Sequence, residues 1–310
     1  MIQINLLGPC SLEYQAAASQ PRPISSAKAR QLLGYLACHP NRNLSRDSVI
    51  ATLWGDTQED QGRRYLRQTL WQVQNVIRPG NLSPTCPLIE AKADWIRLNL
   101  HPDVSFDVLR LERLHKESRR LPTRQIPRPL SFREVTSLYS GPFLEGCYEG
   151  WCVQQRERFQ DMYVELLKQM MDQEFTEGNF EDAADIAHKI LNVYPTDEDA
   201  HWTIMSYYLH LGDRSGALRQ YQACVQILRE ELDTLPGEKL NLLRELIRRD
   251  LGEKPTMVPS IPAESNPSRD PLIILQEIQR QINDLRREMQ AVKEQINFQR
   301  PSSEKGSQAE

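Results

Sequence analysis

Apolar residues over the first hundred positions recur at two different periods, and the change of period divides the segment into elements. Residues 2–7, IQINLL, alternate polar and apolar ahead of Gly8-Pro9, and SLEY follows, which predicts short strands joined by a turn. In PISSAKARQLLGYLACHPN the spacing becomes helical. Ser25 or Ser26 caps a helix that buries Ala29, Leu32, Leu33 and Leu36 and ends at His39-Pro40. A second helix opens on Ser45 as its cap and turns Val49, Ile50, Leu53 and Trp54 inward. A third covers residues 63–78, RRYLRQTLWQVQNVIR, where Leu66, Leu70, Val73 and Ile77 fall within about 60° of one another on a helical wheel. Leu88, Trp95, Ile96 and Leu98 then surround a polar centre from Glu90 to Asp94, the pattern of a two-stranded hairpin.

Strands, three helices and a hairpin, in that order, predict a winged helix-turn-helix, with the third helix offered to a DNA groove and the hairpin as the wing. The outer side of that third helix is unusual. It carries Arg64, Gln68, Trp71 and Asn75, flanked by Arg67, Gln72 and Arg78, and residues 63–78 contain no acid to pair them. An ordinary solvated helix face mixes both signs so that i, i+4 pairs form. Arg, Gln and Asn are the side chains that make paired hydrogen bonds to guanine and adenine edges, and unpaired Arg also neutralises phosphate. The alternative is a surface helix that is short of acids by chance.

Charge adds modestly to this picture. The chain has a net charge of −4, yet residues 1–100 hold 11 Lys and Arg against seven Asp and Glu, so that segment is at +4 and the remainder at −8. A basic segment beside an acidic remainder suits one part meeting nucleic acid. With 39% hydrophobic and 26% charged residues, the composition is that of a globular protein, and no apolar run approaches the roughly 18 to 20 residues needed to span a bilayer. The opening MIQINLLGPC lacks the basic and apolar regions of a signal peptide, so a cytoplasmic protein is expected. The six cysteines form no C-x-x-C pair and the six histidines no ligand spacing, so neither a metal nor any other cofactor is expected. There is no phosphate-binding G-x-x-x-x-G-K-[ST] loop and no constellation of nucleophile and base, which points to a non-enzyme.

Further along, EGNFEDAADIAHKIL and LGDRSGALRQYQACV are one unit written twice, with Gly178 and Gly212, Phe180 and Arg214, and Ala183 and Ala217 each separated by 34 residues. That is the tetratricopeptide period, a helix pair with small residues where helices cross. Residues 252–271 contain five prolines and no apolar period and read as an extended linker. Beyond them Leu275, Ile278, Ile282, Leu285, Met289, Val292 and Ile296 are spaced alternately three and four apart, an unbroken heptad seam that predicts a coiled coil and a homo-oligomer. The expected class is mainly α: an N-terminal α+β winged helix-turn-helix over 1–115, an all-α tetratricopeptide-like domain over 116–251, the linker, a C-terminal coiled coil over 272–298 and a disordered tail over 299–310.

Taken together, INLLGP, KARQLLGYLACHPNRNLSRDSVIATLWGD, LRQTLWQVQNVI, VSFDVLRLERL, LYSGPFLEG and LGDRSGALRQYQACVQILREEL, in this order over roughly residues 1–251, resemble the SARP (Streptomyces antibiotic regulatory protein) type of transcriptional activator, an OmpR-like winged helix followed by a bacterial transcriptional activator domain. The resemblance implies a sequence-specific DNA-binding regulator whose partners are double-stranded promoter DNA and RNA polymerase. It places the recognition helix at residues 63–78 and the wing between Lys92 and Arg97. It also places a polymerase-facing turn at Gly55, Asp56 and Thr57. Candidate DNA contacts are then Lys28 and Arg30, the helix residues Arg63, Arg64, Arg67, Gln68, Trp71, Gln72, Asn75 and Arg78, and Lys92 and Arg97 of the wing. Gln72-Val73-Gln74 stands where relatives often carry Arg-Leu-Arg, and Asp94-Trp95 replaces the usual Gly-Tyr pair of the wing. A rival reading from another class is a tetratricopeptide adaptor whose winged helix binds protein instead of DNA.

Overall fold

The computed structural model describes residues 2–14, 22–55, 57–77, 87–119 and 132–250. The linker, the heptad seam from Leu275 to Ile296, the tail, and the candidate residues Asp56 and Arg78 lie outside the described residues. The chain divides into two compact units after Ala200.

In the first unit, β1 (Ile2–Asn5) and β2 (Ser11–Tyr14) pair antiparallel with Ile4 opposite Leu12. Two partners were not legible in the alternation. β3 (Arg22–Pro23) adds to β2, and β7 (Val104–Phe106) runs parallel to β1 with Phe106 opposite Ile4, giving the order β3-β2-β1-β7. The alternation is expressed as burial, since Ile2, Ile4 and Leu6 are all core.

Three helices follow. α1 (Ala27–Ala37) starts where the Ser26 hydroxyl accepts from the Ala29 N–H at 3.3 Å, and it stops short of the expected His39-Pro40 end. α2 (Arg46–Trp54) is capped in the same way by Ser45, at 3.1 Å from the Ser48 N–H. Val49, Ile50 and Leu53 are buried as expected, but Trp54 is only half-buried, because it sits at the last turn of the helix beside Lys28 and Tyr65. α3 (Glu59–Ile77) begins a full turn before residue 63. Its Gly62 lets it approach α2 closely: a Cβ there would stand 2.5 Å from Ile50 Cγ2.

β5 (Ile89–Ala91) and β6 (Trp95–Leu98) form the hairpin, and β4 (Leu44–Ser45), immediately ahead of α2, joins β6 to give the order β4-β6-β5. Three helices followed by a small sheet is the order expected of a winged helix.

α4 (Asp107–Ser118) packs on β1 and β7 and on α6, and the expected boundary after residue 115 falls inside it. α5 (Phe132–Leu138) and α6 (Gly150–Glu177) follow, and α6 packs along α7 (Phe180–Leu191). Residues 140–147 are stitched across the N-terminal sheet, with Gly8 N–H donating to Pro142 O at 3.0 Å and Leu144 N–H to Leu6 O at 3.0 Å. From α6, Arg156 donates to the carbonyls of Phe143, Leu144 and Cys147 at 3.1, 3.2 and 2.7 Å. A second anchor is the buried Asp107, whose Oδ2 accepts from the Leu6 and Leu7 N–H groups at 2.6 and 2.7 Å. Burial pushes its carboxyl up to about 7, against the backbone N–H donors that pull it down.

α8 (Glu198–His210) leads into the second unit, which contains α9 (Arg214–Leu232) and α10 (Glu238–Asp250) around a core of Trp202, Tyr221, Cys224, Leu228, Leu240 and Ile247. The 34-residue spacing reappears in the geometry. Gly178 and Gly212 both sit at positive φ, 87° and 76°, just ahead of α7 and α9. The repeat is unequal, however, since α9 has 19 residues against 12 in α7.

Candidate nucleic-acid interface

α3 separates its two sides cleanly. Leu66, Leu70, Val73 and Ile77 are buried, facing α1 and α2, while Arg63, Arg64, Arg67, Gln68 and Trp71 are exposed and Gln72 and Asn75 half-buried. Trp71 is 62% exposed, a large ring presented to water among donors. Among the described residues no acid pairs with Arg64 or Arg67. Arg63 differs from the expectation: the helix starts earlier than the basic run, so Glu59 lies one turn below and forms an i, i+4 ion pair with it at 2.5 Å.

The wing carries Lys92 and Arg97 against Glu90 and Asp94, so its charges balance. Glu90 on β5 faces Arg97 on β6 across the hairpin, with Arg97 Nη2 to Glu90 Oε2 at 2.8 Å and Lys92 Nζ to Glu90 Oε1 at 3.3 Å. Partial burial raises the Glu90 carboxyl, but the hydrogen bonds from Lys92 and Arg97 outweigh it and hold the group below its ordinary value. Arg97 also donates to Asn99 Oδ1 at 2.8 Å and lies 5.3 Å over the Trp95 ring. Both cations predicted in the wing are therefore engaged locally.

Lys28 and Arg30 on α1 are likewise engaged. Lys28 Nζ donates to Leu53 O at 2.5 Å and pairs with Glu149 at 3.5 Å, and Arg30 donates to Ile24 O at 3.0 Å. Neither belongs to the α3 face. The turn between α2 and α3 holds Gly55, at φ 57° and with nothing within 4 Å of where a Cβ would be, and Thr57, whose hydroxyl donates to Trp54 O at 2.5 Å.

Two cations missed in the sequence belong to this neighbourhood. Arg46 opens α2 and reaches the wing, Nε to Lys92 O at 2.8 Å, while its own N–H donates to Asp94 O at 3.0 Å. Arg42 is exposed just ahead of β4. Their signal was the donor-rich NRNLSRD immediately before and across a capped helix start, where phosphate oxygens find both side chains and helix N–H groups.

Among the described residues no group of three His, Cys, Asp or Glu could hold a metal ion, and no helix is long and apolar enough to cross a membrane.

Residues 106–248 match the family model of the bacterial transcriptional activator domain. Over that segment the chain carries a bacterial transcriptional activator domain, and in this it is similar to the SARP-type activators. It is 24% identical over 267 residues to the transcriptional regulator RedD of Streptomyces coelicolor, covering 84% of this chain and 73% of that protein. It is similar in structure to Mycobacterium tuberculosis EmbR, solved in complex with a low-affinity phosphopeptide, with a TM-score of 0.53 and 17% identity, covering 80% of this chain. The match spans 65% of the length of that EmbR chain, and at this identity it speaks for the fold alone. The matched domain begins at Phe106, the residue that closes the parallel pairing with β1.

Proposed function

We propose that this chain is a SARP-type regulator that activates transcription by binding promoter DNA with residues 1–115, α3 lying in the major groove, and by contacting RNA polymerase from the turn at Gly55 to Thr57. The observation that carries this reading is the outer side of α3, where Arg64, Arg67, Gln68 and Trp71 are exposed above a fully buried aliphatic stripe. An adaptor surface would gain nothing from leaving such donors without acids, whereas base edges and phosphates satisfy them. Arg42 and Arg46 serve as phosphate contacts at the start of α2, and the wing acts more by shape than by charge.

The heptad seam over 272–298 would join copies of the chain, and two tethered winged helices gain avidity at repeated half-sites without new contacts. The helical region from residue 116 is read as tetratricopeptide-like, a scaffold for contacts with the transcription machinery. Footprinting the chain on its own promoters supplies the operator. On that operator Arg64→Ala and Arg67→Ala should each cost about 1 to 3 kcal/mol while changing affinity for random DNA little. Unchanged operator binding in both variants refutes the docking through α3.

A further inference from the structure

The second unit contains a groove of about 880 Å3 between α9 and α10, remote in sequence from every residue assigned to DNA. One side carries Arg229, Arg244 and Arg248 against Glu230 in the lining and Glu245, which pairs with Arg244. Arg244 is held in place: it donates to the Tyr221 hydroxyl at 3.3 Å and to Glu245 at 2.6 Å and lies 5.1 Å over the Tyr221 ring. Its Nε is nevertheless buried with no hydrogen-bond partner among the described residues. Tyr221 is fixed in turn by donating to Asn241 Oδ1 at 2.5 Å. The other side is apolar, formed by Leu218, Val225, Leu235 and Pro236, and Leu235 is 70% exposed at its mouth. Leu232 and Leu242 are exposed nearby in sequence.

We propose that this groove docks an acidic peptide segment of a partner protein, with carboxylates on the three arginines and an aliphatic side chain against Leu235. The pairing of arginines, Arg244 among them held in place, with an apolar wall selects for that chemistry. Duplex DNA would satisfy the arginines but leave the leucines in water. The chain's own residues 272–298 hold four Arg and Lys against four Asp and Glu, so they bring no net negative charge to the site. The groove is independent of the proposed DNA contacts.

The test uses the full chain and fluorescein-labelled capped peptides of repeating Glu-Glu-Leu, Gln-Gln-Leu and Lys-Lys-Leu, followed by anisotropy. The acidic peptide is expected to bind saturably, about tenfold or more tighter than its Gln counterpart, and Arg229→Glu should remove that preference. Arg229 is exposed, so its variant keeps the fold, which an unchanged melting curve confirms. Arg64→Ala should leave peptide binding untouched, so failure of the DNA reading and failure of this one are separable. No saturable binding, equal binding of the Gln peptide, or indifference to Arg229→Glu overturns the proposal. So does stoichiometric displacement by duplex DNA, which makes the groove a nucleic-acid surface. Tighter peptide binding when Leu275, Ile278 and Ile282 are all replaced by Ser assigns the groove to the chain's own C-terminal stretch, and self-association abolished by Arg229→Glu assigns it to a second copy; either result also overturns it.

Discussion

α3 and the wing present similar cations to solvent from neighbouring parts of the first unit, and they differ in what each cation already touches. On α3, Arg64 and Arg67 stand exposed with no described acid beside them, and only Arg63, one turn above Glu59, is paired. On the wing, Lys92 and Arg97 converge on one carboxylate, Glu90. A phosphate approaching the wing must compete with an ion pair already formed, whereas one approaching α3 meets charges that water alone has screened. Counting basic residues would have ranked the two regions together; their neighbours separate them by which cations are already paired.

The largest effect expected in breaking this comparison comes from the buried side of α3. Leu66→Ala removes a fully buried side chain and should cost about 3 kcal/mol in denaturant unfolding, while Arg64→Ala, two residues away on the exposed side, should change stability by less than about 0.5 kcal/mol. Equal losses would mean that the outer side is structural as well.

Next in size is the buried Asp107 carboxyl, which has no ion-pair partner among the described residues. Asp107→Ala would orphan the Leu6 and Leu7 N–H groups and should cost about 2 to 3 kcal/mol. The pH dependence has a definite sign. The folded carboxyl lies near 7, above its ordinary value of 3.8, so its contribution is fully present below the unfolded value and is lost as pH rises from about 4 through 7. Unfolding free energy should fall over that window in the native protein, and Asp107→Asn should abolish that part of the slope. A slope unchanged in Asp107→Asn would place the titration elsewhere.

The comparison itself is sharpened by Glu90→Gln, which releases Lys92 and Arg97 while keeping the hairpin's shape. Affinity for random DNA should rise and the salt dependence should steepen by about one to two phosphates' worth, with operator selectivity little changed. Salt slopes identical to the native protein would show that the wing does not approach the backbone.

The smallest effect is spectroscopic. Trp71, 62% exposed, should be quenched by acrylamide in the free protein and protected by operator DNA, read as the difference between the native protein and Trp71→Phe. Protection already complete without DNA would mean that Trp71 packs against the protein.

Local spacing carried most of the elements on which the candidate site is built. Hydrophobic period decides which side of a helix is buried, so the stripe from Leu66 to Ile77, the Ser26 and Ser45 caps and the hairpin around Glu90 were legible from residues a few positions apart. The same local logic misplaced what depends on an element's end, as with Trp54 in the last turn of α2 and Glu59 in the first turn of α3.

By itself, then, the sequence determined which elements form and which faces they bury, because those follow from interactions within a turn or a pleat. Only the tertiary structure decided which charges are left for a ligand. Lys28 meets Glu149, Arg156 takes the carbonyls of residues 143–147, β7 closes on β1 and Asp107 caps Leu6 and Leu7, through pairings between residues as many as 121 positions apart. Such pairings depend on where the chain returns in space, which no spacing along it encodes, and each one that forms removes a donor from the surface that nucleic acid could otherwise use.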